Sequence, residues 1–164
     1  MIEEAFLKYS ADELLVLSGR ILDCLGRLTA EQVWTRGSDN ENSVGNLVLH
    51  LCGNVRQWII SGVGGAADVR DRDSEFAARG GMQPAELAAK LKAVVGDAAD
   101  VIRKLPVERL GERKTIQKIY ETTLMEAVYH VVEHFAQHTG QIVFATKLLT
   151  SADLGYYKHL SKSA

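Results

Sequence analysis

Three histidines, His130, His134 and His138, recur at every fourth position in the stretch TTLMEAVYHVVEHFAQHTGQIVFATKLL, which runs from Thr122 to Leu149. Side chains at i and i+4 of a helix sit one turn apart on the same face. Thr123, Glu126, Gln137 and Gln141 fall near the same line, and small Ala127 and Ala145 lie beside it. Elsewhere the stretch is apolar, through Leu124, Val128, Val131, Val132, Phe135, Ile142, Val143 and Leu148. The pattern predicts a largely buried helix with a polar seam of imidazoles and amides. A buried polar group without a partner costs about 1–3 kcal/mol, so the stacked imidazoles need acceptors, water or a metal ion. Two histidines at i and i+4 can direct both Nε2 atoms at one ion. A third ligand on another helix would separate a metal site from satisfied core histidines.

A second seam lies in SVGNLVLHLCGNVRQWII, a helix that Ser43 can cap. Val44, Leu47, Val48, Leu51, Val55, Trp58 and Ile59 form its apolar face. Asn46, His50, Asn54 and Gln57 line one flank, and Arg56 is its only charged residue. A solvent face ordinarily carries Lys and Glu, whereas this flank carries amides and an imidazole. Two readings stay open: the amides bond neighbouring helices, or His50 faces the histidines of the last helix.

The elements that must position these residues are all helical. A first helix is expected from about Glu3 to Leu28, with Leu14, Leu17, Ile21, Leu25 and Leu28 on one stripe. Thr29 and Gln32 have the spacing of a capping box. Residues Ser61 to Gln83 form a long link in which glycines bracket the charged piece RDRDSEFAAR, with room for one helical turn. The glycines are too dispersed for a phosphate loop, and links this long are often functional, which makes this one a candidate to border a pocket. Pro84 opens a third helix, with Leu87, Leu91, Val94, Ala98, Val101 and Leu105 on its stripe, and Pro106 ends it. Within the link from Val107 to Glu121, IQKIY has extended character, and the tail SADLGYYKHL is expected to dock through its tyrosines and Leu160. The predicted architecture is all-α: an antiparallel four-helix bundle forming one domain over residues 1–164, with a crossover allowed by the long link between the second and third helices.

Composition removes several function classes. The 19 Lys+Arg and 21 Asp+Glu give a net charge of −2, and no basic stripe offers a nucleic-acid surface. No apolar run is long enough to span a bilayer, and MIEEAFLKYS does not read as a signal peptide. Cys24 and Cys52 stand in separate segments and form no C-x-x-C, which suits a reducing cytoplasm.

Two segments together, NSVGNLVLHLCGNVRQWI and HVVEHFAQHTGQI, resemble the DinB-like family of metal-binding four-helix bundles, in its branch with an N-S-x-G-N-L-x-x-H-L-x-G-N signature. The resemblance extends through RDRDSEF and the tail. It implies that His50, His134 and His138 hold a divalent metal; Thr139 stands where many members have Arg. Three imidazoles suit Zn²⁺ or Ni²⁺ with open positions left over. His130 is then expected outside the ligand set, and Asn54, Gln137 and Gln141 are candidates to hydrogen-bond ligands or bound water. The H-x-x-E-H of His130 to His134 also fits a protease pattern, but no downstream Glu supplies its third ligand.

The wider superfamily includes transferases and isomerases that use low-molecular-weight thiols, so a metal-dependent thiol transferase acting on a small molecule is the first functional expectation. A metal-dependent hydrolase, a non-catalytic metal-binding or stress protein, and a bundle with satisfied core histidines are the alternatives. Neither seam offers a carboxylate base beside the histidines, which weighs against the hydrolase. A homodimer is also expected, because the second helix is apolar almost all round and the resemblance suggests one.

Overall fold

The computed structural model describes residues 1–160; the last four residues of the expected domain lie outside them. Four helices build the core: α1 (Ile2–Leu25), α3 (Val44–Val55), α5 (Pro84–Arg103) and α6 (Leu124–Thr150). Two short helices, α2 (Ala30–Trp34) and α4 (Arg72–Ala77), lie in the connections. Each of α1 and α3 packs against both α5 and α6, so α1 and α3 sit on a diagonal of the bundle. The start of α1 lies beside the end of α5, and α3 runs against α6, with His50 near His138 and Trp58 near His130. These are the antiparallel pairs. The long 64–83 connection then carries the chain back, so that α5 runs in the same direction as α3.

Local sequence explains most boundaries. Thr29 caps α2, Ser43 caps α3 and Thr123 caps α6, each in a reciprocal box with the residue three positions on. Thr123 and Glu126 are therefore the start of α6 and not part of its polar seam. Helix α1 ends at Leu25, one turn short of the expected Leu28, with Gly26 at its C-cap. The buried face of α5 is Leu87, Leu91, Val95, Ala98, Ala99 and Ile102, while Val94 and Val101 are only half-buried. Fully buried Leu14, Ile21, Leu51, Ile59, Leu87, Leu91 and Phe135 fill the centre, each contributing about 1.5–3 kcal/mol from removal of apolar surface from water.

Three features depart from the sequence expectation. Beyond Val55 the second helix continues as a π-helical segment, Arg56–Val63. The link before α6 holds a hairpin, β1 (Arg113–Ile116) paired antiparallel with β2 (Tyr120–Thr123), with Arg113 opposite Thr123. In the tail, Tyr156 docks on α1, donating to Arg20 O and Asp23 Oδ2 at 3.1 Å each, but Leu160 is exposed. The apolar face of α3 is covered within the chain, so it is not the surplus apolar surface from which a dimer was expected. That surplus lies on α6, where Leu148 is 69% exposed.

Candidate metal centre

The seams of α3 and α6 face each other. His50 projects from the middle of α3, and His134 and His138 from successive turns of α6. The Nε2 of His134 lies 3.1 Å from the Nε2 of His50 and 3.1 Å from that of His138. One ring nitrogen from each residue falls within 4.8 Å of the others. Three nitrogens about 2.0–2.1 Å from a tetrahedral ion would stand about 3.3 Å apart, close to this spacing.

The partners of the other ring nitrogens fix which atoms are free. His50 Nδ1 faces Glu75 Oε2 at 3.1 Å, and His138 Nδ1 faces Gln141 Oε1 at 2.6 Å. An amide oxygen only accepts, so His138 Nδ1 carries the proton and its Nε2 presents a bare lone pair. His50 Nδ1 stands 3.1 Å from both Glu75 Oε2 and Arg70 Nη2, and an ion on its Nε2 requires the tautomer that donates from Nδ1 to Glu75. His134 Nδ1 is buried without a partner among the described residues. Three ring nitrogens converging on one point, two of them on rings whose Nδ1 atoms meet oxygen acceptors, are the donor set of a metal ion. The residues present fit that group.

A family profile described as mycothiol-S-transferase matches residues 14–145. The chain belongs to the mycothiol-S-transferase family, a DinB-like family. No curated protein matches it in sequence. Among solved structures, the crystal structure of a conserved protein from Enterococcus faecalis is similar, with a TM-score of 0.74 over 88% of this chain and 96% of that one. At 16% identity that likeness shows a shared fold.

Electrostatics in this mycothiol-S-transferase family member keep the imidazoles of α6 neutral. Burial, then the neighbouring His138, His50 and His130, push His134 down to about 3. His138 is also lowered, by burial first, with Gln141 opposing. Low basicity leaves the lone pairs available at neutral pH.

Behind His50 stands a buried assembly that seam reasoning missed. Arg70 donates to both oxygens of Glu75, at 2.8 Å through Nε and 2.8 Å through Nη2, and the two side chains are 3% and 8% exposed. Arg70 Nη1 donates to Gln57 Oε1 at 2.9 Å, and the Gln117 side chain of the hairpin packs beside the same pair. Burial alone would raise Glu75, but Arg70 and His50 outweigh it and hold its carboxyl below the usual range. The expectation that no carboxylate stands beside the histidines is therefore corrected: Glu75 does, on the Nδ1 side of His50 and away from the convergent Nε2 atoms. Phe76 lays its ring 4.8 Å from that of His50. The sequence signal was RDRDSEF, a charged piece within a glycine-bracketed link, but helical periodicity cannot place a loop residue.

The remaining candidates divide. Gln141 touches His138, as above. His130 is half-buried, with its ring 4.2 Å from Trp58 and 5.6 Å from His134, outside the three-nitrogen group. Asn54 is buried one turn after His50, and its Oδ1 has no partner among the described residues. Gln137 is exposed. Asn46, the first amide of the α3 flank, bonds the α4 segment: Nδ2 donates to Glu75 O at 2.8 Å and Ala78 O at 2.9 Å.

Proposed function

We propose that this protein is a metal-dependent transferase that joins a low-molecular-weight thiol, such as mycothiol, to a small electrophile. The observation that carries the reading is the convergence of three Nε2 atoms with neither cysteine of the chain beside them. Cys52 lies on the other side of α3, in a groove with Lys90 and Asp97, and burial pushes its thiol up to about 12. Cys24 is sealed in the core against the Tyr156 hydroxyl. The family description supports the thiol.

His50, His134 and His138 would hold the ion, with Zn²⁺ or Ni²⁺ best matched to three imidazoles. A divalent ion held there supplies Lewis acidity that favours ionisation of a thiol near neutral pH. Glu75 and Gln141 hold the Nδ1 protons of His50 and His138 and so keep their Nε2 atoms aimed inward. The Arg70–Glu75 pair fixes the His50 ring and keeps the carboxylate occupied, so it does not serve as a base on the open side. In the transfer, sulfur forms a bond to the electrophilic carbon, the leaving group departs with its electron pair, and the thiol proton passes to solvent. Two unpaired cysteines fit a reducing cytoplasm, and no described helix is long and apolar enough to cross a membrane.

Co²⁺-loaded protein tests the reading. Addition of a small thiol should produce a sulfur-to-metal charge-transfer band, absent in His134→Ala. If no thiol perturbs the spectrum while esters or amides are turned over, the hydrolase reading replaces this one. By elemental analysis, wild type should carry about one ion per chain, His50→Ala and His138→Ala should lose it, and His130→Ala should keep it. Equal metal content in all four would overturn the ligand assignment.

A further inference from the structure

An ion that holds the thiol leaves the other reactant of the transfer without an anchor. The electrophile must also be fixed beside the sulfur, because orienting both reactants removes much of the barrier. The segment RDRDSEFAAR, which closes over His50, offers one free charge for that task. Arg70 is engaged by Glu75 and Gln57, and Arg79 donates to the carbonyl oxygens of Phe76, Ala77 and Ala78 at 2.8, 2.9 and 3.1 Å. Arg72 is exposed and has no ion-pair partner among the described residues. Its head is nevertheless held in place. The guanidinium carbon stands 4.8 Å over the centre of the Phe76 ring, and that ring stands 4.8 Å from the ring of His50. A guanidinium seated on an aromatic face keeps its N–H edge free for an anion. Arg72 and Phe76, four residues apart, share one face of α4. Asp71, Ser74 and Glu75 lie on another face and line the groove between α3 and α5, which Arg72 and Phe76 do not. The stack therefore stands on the side of α4 turned away from α5, and it meets the metal centre at His50.

We propose that Arg72, held by Phe76 beside His50, binds a carboxylate on the electrophile, so that the substrates of this protein are small anionic electrophiles. The identity of the bound molecule rests on the transferase reading, whereas the anion site rests on the stack alone. A planar guanidinium presents two parallel N–H donors to a carboxylate, a match that a lysine ammonium does not make. The distance from Arg72 to the His50 ring is no more than the two ring contacts laid end to end. That reach suits a molecule of about one ring, with the carboxylate at one end and the reactive carbon at the other.

The matched probes are 4-chloro-3-nitrobenzoate and its uncharged amide, 4-chloro-3-nitrobenzamide. Attack by a thiol on the chlorine-bearing carbon forms a carbon–sulfur bond, chloride leaves with its electron pair, and the thiol proton passes to solvent. Calorimetric binding of each probe to zinc-loaded protein without thiol reads the anion site apart from catalysis. Wild type should hold the benzoate about fivefold or more tighter than the amide, and the gap should narrow as salt rises. Arg72→Gln should close the gap, Arg72→Lys should keep part of it, and Arg72→Glu should reverse it. Equal affinities in wild type overturn the proposal, as does a failure of both probes to bind. So does a preference that survives Arg72→Gln, the result that direct ligation of the metal by the carboxylate would give. A thiol arm separates the two sources of the anion. If Arg72→Gln weakens N-acetylcysteine relative to its amide and leaves the benzoate preference intact, the carboxylate belongs to the cosubstrate and the assignment fails. Turnover with thiol added is scored separately. An Arg72-dependent preference without thioether formation keeps the anion site and removes the transferase reading, and thioether formation without that preference does the reverse.

Discussion

Gly53 is the residue on which the support of His50 depends. A Cβ added there would stand 1.8 Å from Glu75 Oε1 and 2.9 Å from Arg70 Nε, so any side chain must drive the ion pair away from α3. Gly53→Ala should then separate Glu75 from His50 and weaken metal affinity by about 10–100-fold, the usual cost of losing a residue that orients a ligand. Titration of Zn²⁺ against a competing chelator checks this, and wild-type affinity would show that Glu75 does not orient His50. Removing the carboxylate itself is harsher. Glu75→Ala leaves the Arg70 guanidinium buried without its partner, and breaking a buried pair from one side costs about 3–5 kcal/mol. Denaturant unfolding should show the loss, with a smaller one in Glu75→Gln, which retains acceptor capacity. None of this was visible in the spacing of helical residues, because Arg70 and Glu75 come from a link whose path only the fold determines.

At the scale of elements, the capping residues do two different kinds of work. Thr123 only starts α6: its hydroxyl accepts from Glu126 N at 3.1 Å, and Glu126 reaches back to Thr123 N at 2.7 Å. Thr123→Ala should cost about 1 kcal/mol and leave metal affinity unchanged. Asn46 completes the Ser43 box and also ties α3 to the segment carrying Glu75, while its Oδ1 accepts from Arg36 at 2.6 Å. Asn46→Ala should therefore lower both stability and metal affinity, and thermal unfolding with metal titration on the same two variants separates the roles. If both variants lose metal alike, the difference between the caps is not real. The Thr29–Gln32 and Ser43 caps were legible because capping chemistry is local. The π-helical segment was not, since Arg56 to Val63 continues the same apolar pattern as the α-helix before it and differs only in which carbonyl each N–H meets. The hairpin was half legible: IQKIY had extended character, but it is the turn, with Ile116 and Tyr120 paired across it and Gln117 and Lys118 at positive φ, while the strands carry polar Lys114, Glu121 and Thr122, which periodicity does not mark.

For the whole molecule, the bundle's arrangement makes its stability answer to acid. The four-helix architecture could be read from the stripes on α1, α3, α5 and α6, and their histidine and amide seams pointed to an α3–α6 site, because an apolar helix can bury polar residues only where another element meets them. What the sequence did not contain was the direction of α5 or the closing of the α4 link over His50, both properties of the assembled chain. Enclosure disfavours protonation of His134, down to about 3, and lowers His138 and His130 as well, with burial the leading cause each time. An unfolded chain would protonate these groups near 6.5. Between the two values the unfolded state binds more protons, so stability is full above about pH 6.5 and falls as pH drops toward the folded values. Ordinary carboxylates enter only near and below their reference 4.5, where Glu75 adds its own loss. The Tm of metal-free protein should thus be flat above neutrality and decline already between 6.5 and 4.5, and His134→Ala should shrink that decline. Bound metal adds stability in proportion to the logarithm of its free concentration over Kd, and protons compete for the same nitrogens, so the gap between metal-loaded and metal-free Tm should close over the same range. A metal-free Tm that stays constant down to 4.5 would mean that these imidazoles are solvated enough to titrate normally, and that the site is more open than its geometry indicates.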